Sequence, residues 1–129
     1  MKVLLDTCAI IWAVSEPGKL NKEAIAVLEH PDAEVFVSPI SCAELACLQE
    51  RGRIKLDIHW KTWFDQYLEQ NGWQVIDISL SIIQDAFSLP PPFHPDPADR
   101  IIAATARECG LRLITGDRKL ISYPFVDTV

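Results

Sequence analysis

DPADRIIAATARECGLRLITGD, residues Asp96 to Asp117, carries the reading that decides the fold. Asp96-Pro97-Ala98-Asp99 has the grammar of a helix start: Asp96 suits the N-cap, Pro97 the first helical position, and Asp99 the first turn. Ile101, Ile102, Ala103, Ala104 and Ala106 follow, small and apolar, as a helix packed closely on a sheet requires. Gly110 suits the residue just past the helix, where the backbone turns left-handed. Arg112 to Thr115 then reads as a short buried strand, and Thr115-Gly116-Asp117 leaves its carboxyl end. One acid thus stands at a helix entrance and another just past a strand. In open α/β sheets, sites form beyond the carboxyl ends of the strands.

Working outward, the nine residues Leu89 to Pro97 hold five prolines, which form neither helix nor strand but a stiff loop delivering the chain to Asp96. Lys2 to Leu5 is a β-leaning run that stops at Asp6, and Thr7 to Val14 continues as a helix. Asn21 can cap a helix over Lys22 to Glu29, whose apolar residues have helical spacing. Glu34 to Val37 reads as a second strand. Ser38-Pro39 opens a helix that runs to about Arg51 and carries Glu44. Trp60 to Gln70 is helical and ends at Gly72. Gln74 to Ile78 is a third strand, and Ser79 or Ser81 opens a helix to about Phe87. After Asp117 comes one helical turn, Arg118 to Ile121, and Phe125 to Val129 is a last, edge strand. Alternating strands and helices imply a parallel sheet covered on both faces. The expectation is one α/β domain over residues 1–129, a three-layer α/β/α arrangement with a mainly parallel sheet of four or five strands.

The composition excludes several classes. Apolar residues make up 49% and charged residues 23% of the 129, which is the balance of a folded globular chain. Only Val3-Leu4-Leu5 separates Lys2 from Asp6, so no signal peptide is expected, and no apolar run reaches the roughly 20 residues of a membrane span. Cys8, Cys42, Cys47 and Cys109 form neither a CxxC pair nor a zinc-ribbon spacing. They read as small core residues in a reducing, cytoplasmic compartment. His30, His59 and His94 are dispersed, and His94 reads as a loop histidine ahead of the Asp96 helix. The four tryptophans read as core or oligomer contacts. The net charge of −6 suits a passive nucleic-acid binder poorly, because phosphate contacts need Lys and Arg.

The same charge makes sense if several acids are gathered to hold a cation. Asp6 directly follows a buried apolar run, where an acid is costly unless paired, hydrogen-bonded or metal-bound. It could also simply cap the next helix. Ser41-Cys42-Ala43-Glu44 matches a capping box, yet Ser38-Pro39 is the better helix start and puts Glu44 in the second turn, among apolar neighbours. Asp99 could face the helix dipole, and Asp117 could be a turn residue. Together, however, Asp6, Glu44, Asp99 and Asp117 follow strands or open adjoining helices, and a parallel sheet brings such positions to one edge. Crowded carboxylates repel and take up protons. A hard divalent cation, Mg²⁺ or Mn²⁺, relieves this with oxygen ligands, and such a site suits phosphodiester hydrolysis. No Gly-rich phosphate loop accompanies it.

These residues resemble a known family. Val3-Leu4-Leu5-Asp6-Thr7, Ser41-Cys42-Ala43-Glu44, His94-Pro95-Asp96-Pro97-Ala98-Asp99-Arg100 with Ile102-Ala103-Ala104, and Thr115-Gly116-Asp117 are similar to the acidic motifs of PIN-domain ribonucleases. Their order and spacing are most like those of VapC-type toxins of bacterial type II toxin–antitoxin systems, over essentially the whole chain. The resemblance implies a metal-dependent endoribonuclease. It implies an acidic Mg²⁺/Mn²⁺ site in which Asp6 and Asp99 are the principal ligands, and Glu44 and Asp117 bind directly or through water. Thr7 and Thr115 would orient these carboxylates. It further implies an RNA substrate, a cognate antitoxin that blocks the site, and a homodimer. Asp96 competes with Asp99 for the metal role, but Asp96 is the better N-cap, so Asp99 is preferred. Arg51, Arg53, Lys55, Arg100, Arg118 and Lys119 are the candidate RNA contacts.

Two rivals fit less well. A haloacid-dehalogenase-type phosphatase wants a second Asp where Cys8 stands. A response-regulator receiver wants an acidic pair after the first strand and an Asp after the third, but Asp77 lies inside its expected strand. An inert partner-binding domain, with the acids as caps, would show no Mn²⁺-linked stabilisation. An RNA-processing PIN nuclease would lack only the toxin role.

Overall fold

The computed structural model describes residues 1–93 and 95–129. The chain runs β1 (Lys2–Leu5), α1 (Thr7–Ser15), a 3₁₀ turn (Pro17–Lys19), α2 (Lys22–Glu29), β2 (Glu34–Val37), α3 (Pro39–Glu50), α4 (Trp60–Asn71), β3 (Gln74–Val75), α5 (Leu80–Ala86), α6 (Pro97–Cys109), β4 (Arg112–Ile114) and α7 (Arg118–Ile121). The strands lie in the order β3-β2-β1-β4, and every pairing is parallel.

Alternation along β1 separates two cores. Val3 and Leu5 face a cluster with Val35, Val37 and Ile114, covered by Ala9 and Ile10 of α1, Ala24 and Val27 of α2, Leu45 of α3, and Trp63 and Phe64 of α4. Leu4, between them, faces the other way with Leu113, Ile102, Ala103, Ala106 and Leu120. Successive strand side chains point to opposite faces, so a run buried on both sides must be apolar at every position. Val3, Leu4 and Leu5 are all completely buried, and each side chain so placed contributes about 1.5–3 kcal/mol. Helices α1 to α4 cover one face and α5 to α7 the other, which gives the three layers expected.

The local signals act as read. Asn21 accepts from Ala24 N at 2.7 Å, Ser38 from Ile40 N at 3.2 Å, and Ser79 rather than Ser81 from Ile82 N at 3.1 Å. Gly110 ends α6 in the left-handed region at φ 65°. Ser38 as cap places Glu44 in the second turn of α3, so the capping-box reading of Ser41 to Glu44 does not hold.

Three expectations change. The third strand stops at Val75 rather than Ile78, after one further bond from Ile76 N to Val37 O (3.0 Å). Its partner β2 ends at Val37, where the chain leaves to cap α3. The final strand shrinks to a parallel bridge between Leu113 and Thr128, so four strands form the sheet among the described residues. Tyr123 and Val126 turn inward against α6 and α7, and only the last few residues align with β4. The cysteines are not core residues as a group: Cys47 and Cys109 are exposed, and Cys8 and Cys42 are partly buried.

The register positions the site. Leu5 pairs with both Val37 and Ile114, so β2, β1 and β4 end level. Asp6, Ser38 and Thr115 therefore leave the sheet side by side at its carboxyl edge.

Candidate active site

Asp6 is the most buried of the acids, with 4% of its surface exposed. Its Oδ1 accepts from Ala9 N at 2.8 Å, capping α1, and from the Cys8 thiol at 3.2 Å. Its Oδ2 accepts from the Thr115 hydroxyl. Cap and site residue are thus one side chain, so the two readings of Asp6 do not compete. Burial raises its pKa despite these donors, and the nearby Asp117 charge adds to the rise.

Thr115 also accepts from Asp117 N at 3.0 Å, so one hydroxyl ties the two acids together. Asp117 in turn caps α7 through Lys119 N at 2.9 Å. Thr7 plays the matching part on the other side. Its hydroxyl donates to Glu44 Oε1 and lies 3.0 Å from the Ser41 hydroxyl. Glu44 is half-buried, and burial raises its pKa, with Asp96 and Asp6 adding repulsion.

Asp99 sits in the first turn of α6, where its carboxyl pKa is pushed up to about 7. Burial is the main cause, followed by the charges of Asp96, Asp117, Glu44 and Asp6 in that order. Asp96 is an N-cap as expected: its Oδ1 accepts from Ala98 N at 2.9 Å and Asp99 N at 3.2 Å, and it remains exposed. Asp99 and Asp117 line one open cleft with Pro95, Asp96, Pro97 and Lys119. His94 lies outside the described residues.

Asp6, Glu44 and Asp117 therefore all lie within electrostatic reach of Asp99, and each predicted threonine hydrogen-bonds one of the four acids. Among the described residues, no three acidic, histidine or cysteine side chains form a ready-made ligand cage. Both Asp6 oxygens and Glu44 Oε1 are already held by hydrogen bonds. The donor chemistry fits a hard cation that takes one or two carboxylates and keeps several waters, as Mg²⁺ does. It fits a thiolate-bound metal poorly, because burial and the Asp6 charge push the Cys8 thiol up to about 12.

Some participants were not foreseen. Ser41 is fully buried against Thr7. Its spacing of three from Glu44 puts both on one face of α3, a signal that could have found it. Gly116 is required by contact: a Cβ there would lie 2.2 Å from Cη2 and Cζ3 of Trp12. Trp12 on α1 thus packs directly on the turn that carries Thr115 and Asp117. Nothing in the local sequence reports that approach.

The PIN-domain profile matches residues 3–126. The chain belongs to the PIN-domain family. It is 43% identical to ribonuclease VapC22 of Mycobacterium tuberculosis over 121 residues, which is 94% of this chain and 91% of that protein. Solved structures share the fold. A toxin–antitoxin complex from Klebsiella pneumoniae contains a chain with TM-score 0.67 and 24% identity, covering 98% of this chain and 96% of that one. VapBC2 from Rickettsia felis, bound to a promoter DNA fragment, gives TM-score 0.74 at 19% identity, over 100% of this chain and 98% of that one. The motif resemblance to VapC-type PIN proteins thus holds over nearly the full length, and so does the three-layer fold.

Proposed function

We propose that this PIN domain is a divalent-metal-dependent endoribonuclease that serves as the toxin of a type II toxin–antitoxin pair. The observation that carries the reading is the burial of like charge. Asp6, Glu44 and Asp99 are each held at a raised pKa at one edge of the sheet, and Asp117 is beside them. Capping accounts for Asp6 and Asp117 one at a time, but the repulsion among the gathered acids is a cost that a bound cation would relieve. The relative named a ribonuclease supports RNA as substrate, and the toxin–antitoxin complexes of the same fold support a cognate antitoxin as partner.

In this reading Asp6 and Asp99 hold Mg²⁺ or Mn²⁺, and Glu44 and Asp117 complete the site directly or through water. The ion, when bound, supplies polarisation of a phosphoryl oxygen and an activated water. The chain does the rest. Thr115 and Ala9 N fix the two oxygens of Asp6, and Thr7 fixes Glu44. These hydroxyls keep the carboxylates oriented. Asp99, whose carboxyl is pushed up by burial and by the charges of Asp96, Asp117, Glu44 and Asp6, is the acid whose ionised form a bound cation would favour most. An antitoxin would block this open cleft. A homodimer and a cytoplasmic setting complete the proposal; no helix among the described residues is long and apolar enough to cross a membrane.

The test is RNA cleavage by antitoxin-free protein with and without Mg²⁺ or Mn²⁺, beside the Asp6→Asn variant. Metal-dependent cutting that vanishes in the variant is expected. Cutting that persists in chelator, or in Asp6→Asn, would overturn the site assignment. No cutting of any RNA, with no thermal shift on adding Mn²⁺, would reduce the acids to caps and turns.

A further inference from the structure

Lys119 stands where two surface clefts meet. The first is the acidic cleft, with Asp96, Asp99 and Asp117. The second is lined by Pro92, Phe93, Lys119 and Ser122, with no acid among the described residues that line it. The backbone of Lys119 is fixed: its N–H donates to Asp117 Oδ1 at 2.9 Å, and the adjoining Leu120 is completely buried. Its side chain is exposed, and among the described residues its ammonium makes no ion pair, although carboxylates line the same cleft. It is the only lysine or arginine among the described residues lining either cleft.

Phe93 is positioned by its neighbours. Its ring meets Tyr123 edge-on at 4.7 Å, and the Arg100 guanidinium lies 5.5 Å from its centre. Tyr123 in turn donates to Pro90 O at 2.6 Å, which anchors the proline loop. A positioned, half-buried aromatic ring beside a free cation is what single-stranded RNA recognition uses: the ring stacks a base and the cation meets a phosphate.

We propose that Lys119, Phe93 and Pro92 form a subsite for the nucleotide next to the bond that is cut. Lys119 contacts its phosphate, and Phe93 with Pro92 receives its base. The assignment rests on the ribonuclease reading above. It also answers how a chain of net charge −6 holds RNA against its own acids: the cation is placed at the border of the acidic cleft, where the strand must leave it.

The experiment measures binding of a short, fluorescent, single-stranded RNA of mixed sequence to the Asp6→Asn chain across a range of salt. Lys119→Ala in that background should weaken binding about tenfold. It should also lower the slope of log K against log[salt] by about 0.7, the share of one phosphate contact on a single strand. Lys119→Arg should retain both affinity and slope. Phe93→Leu should weaken binding about tenfold with the slope unchanged, since stacking carries no charge. Thermal melts of each variant separate lost contacts from lost fold. An unchanged slope in Lys119→Ala, or retained affinity in Phe93→Leu, overturns the subsite while RNA cleavage by the unaltered chain leaves the nuclease reading standing. If the unaltered chain neither binds nor cuts RNA, both fall together.

Discussion

Charge is buried in two ways in this molecule. Between α5 and α6, Arg107 Nε lies 3.4 Å from Asp85 Oδ2, and both side chains are roughly three-quarters covered, with 28% and 26% exposed. That is opposite charge brought together, as a structural pair should be. At the carboxyl edge of the sheet, Asp6, Glu44 and Asp117 are gathered around Asp99, and the charges of all three push its carboxyl pKa up. The first arrangement links two helices. The second works against the fold by itself, and the difference marks which cluster exists for chemistry.

Substitution should separate the two most sharply in cleavage. Asp6→Asn and Asp99→Asn should each lower RNA cleavage by roughly 10²–10⁴-fold, the range of a lost acid–base or metal-holding group. Both should stay folded, because Asn at position 6 can still accept from Ala9 N, and the cap of α6 is Asp96 rather than Asp99. Asp85→Asn, outside the site, should cleave like the unaltered chain in the same gel assay.

Packing sets the acidic edge from outside. Gly116→Ala would place a methyl 2.2 Å from the Trp12 ring and should cost about 1–3 kcal/mol in a denaturant titration. Adding Trp12→Leu should recover much of that loss. If the two effects simply add, Trp12 does not hold the turn that carries Asp117.

The paired cluster responds in the opposite sense. Asp85→Ala leaves Arg107 partly buried without its partner, and should lower stability by about 1–2 kcal/mol, since the pair is not fully screened from water. Removing an acid from the other cluster should raise stability: metal-free Asp99→Asn should melt above the unaltered chain at neutral pH.

An effect of similar size is expected in pH. Asp99 ionises near 3.8 when unfolded and near 7 when folded, so between these values the folded chain binds more protons. Stability of the metal-free chain should therefore fall as pH rises through that window, by about 1–2 kcal/mol after allowance for solvent screening. Below it the penalty is absent, and above it the penalty is complete. Mg²⁺ or Mn²⁺ should offset the loss. A melting temperature that rises with pH in chelator would contradict the account of crowded, buried carboxylates.

The helices, their caps and the buried strands were legible because each depends on neighbours in sequence. Asp96, Asn21 and Ser38 cap within three residues, and Val3-Leu4-Leu5 is apolar at every position because both faces are covered. The edges of the sheet were less legible. Whether Ile76 to Ile78 or Phe125 to Val129 extends as a strand depends on how far the neighbouring strand runs, and β2 and β4 are short. Exposure of Cys47 and Cys109 likewise depends on which helix face meets the sheet.

By itself, then, the sequence determined the order of elements, their polarity and which acids stand at their ends, because propensity and capping are local. Only the tertiary structure decided that Leu5, Val37 and Ile114 end level, which brings Asp6, Thr115 and the α3 entrance together. It alone laid Trp12 on Gly116, buried Ser41 against Thr7, and set Lys119 between the acids and Phe93. Those contacts join residues far apart in the chain, and packing between layers, rather than any local preference, selects them.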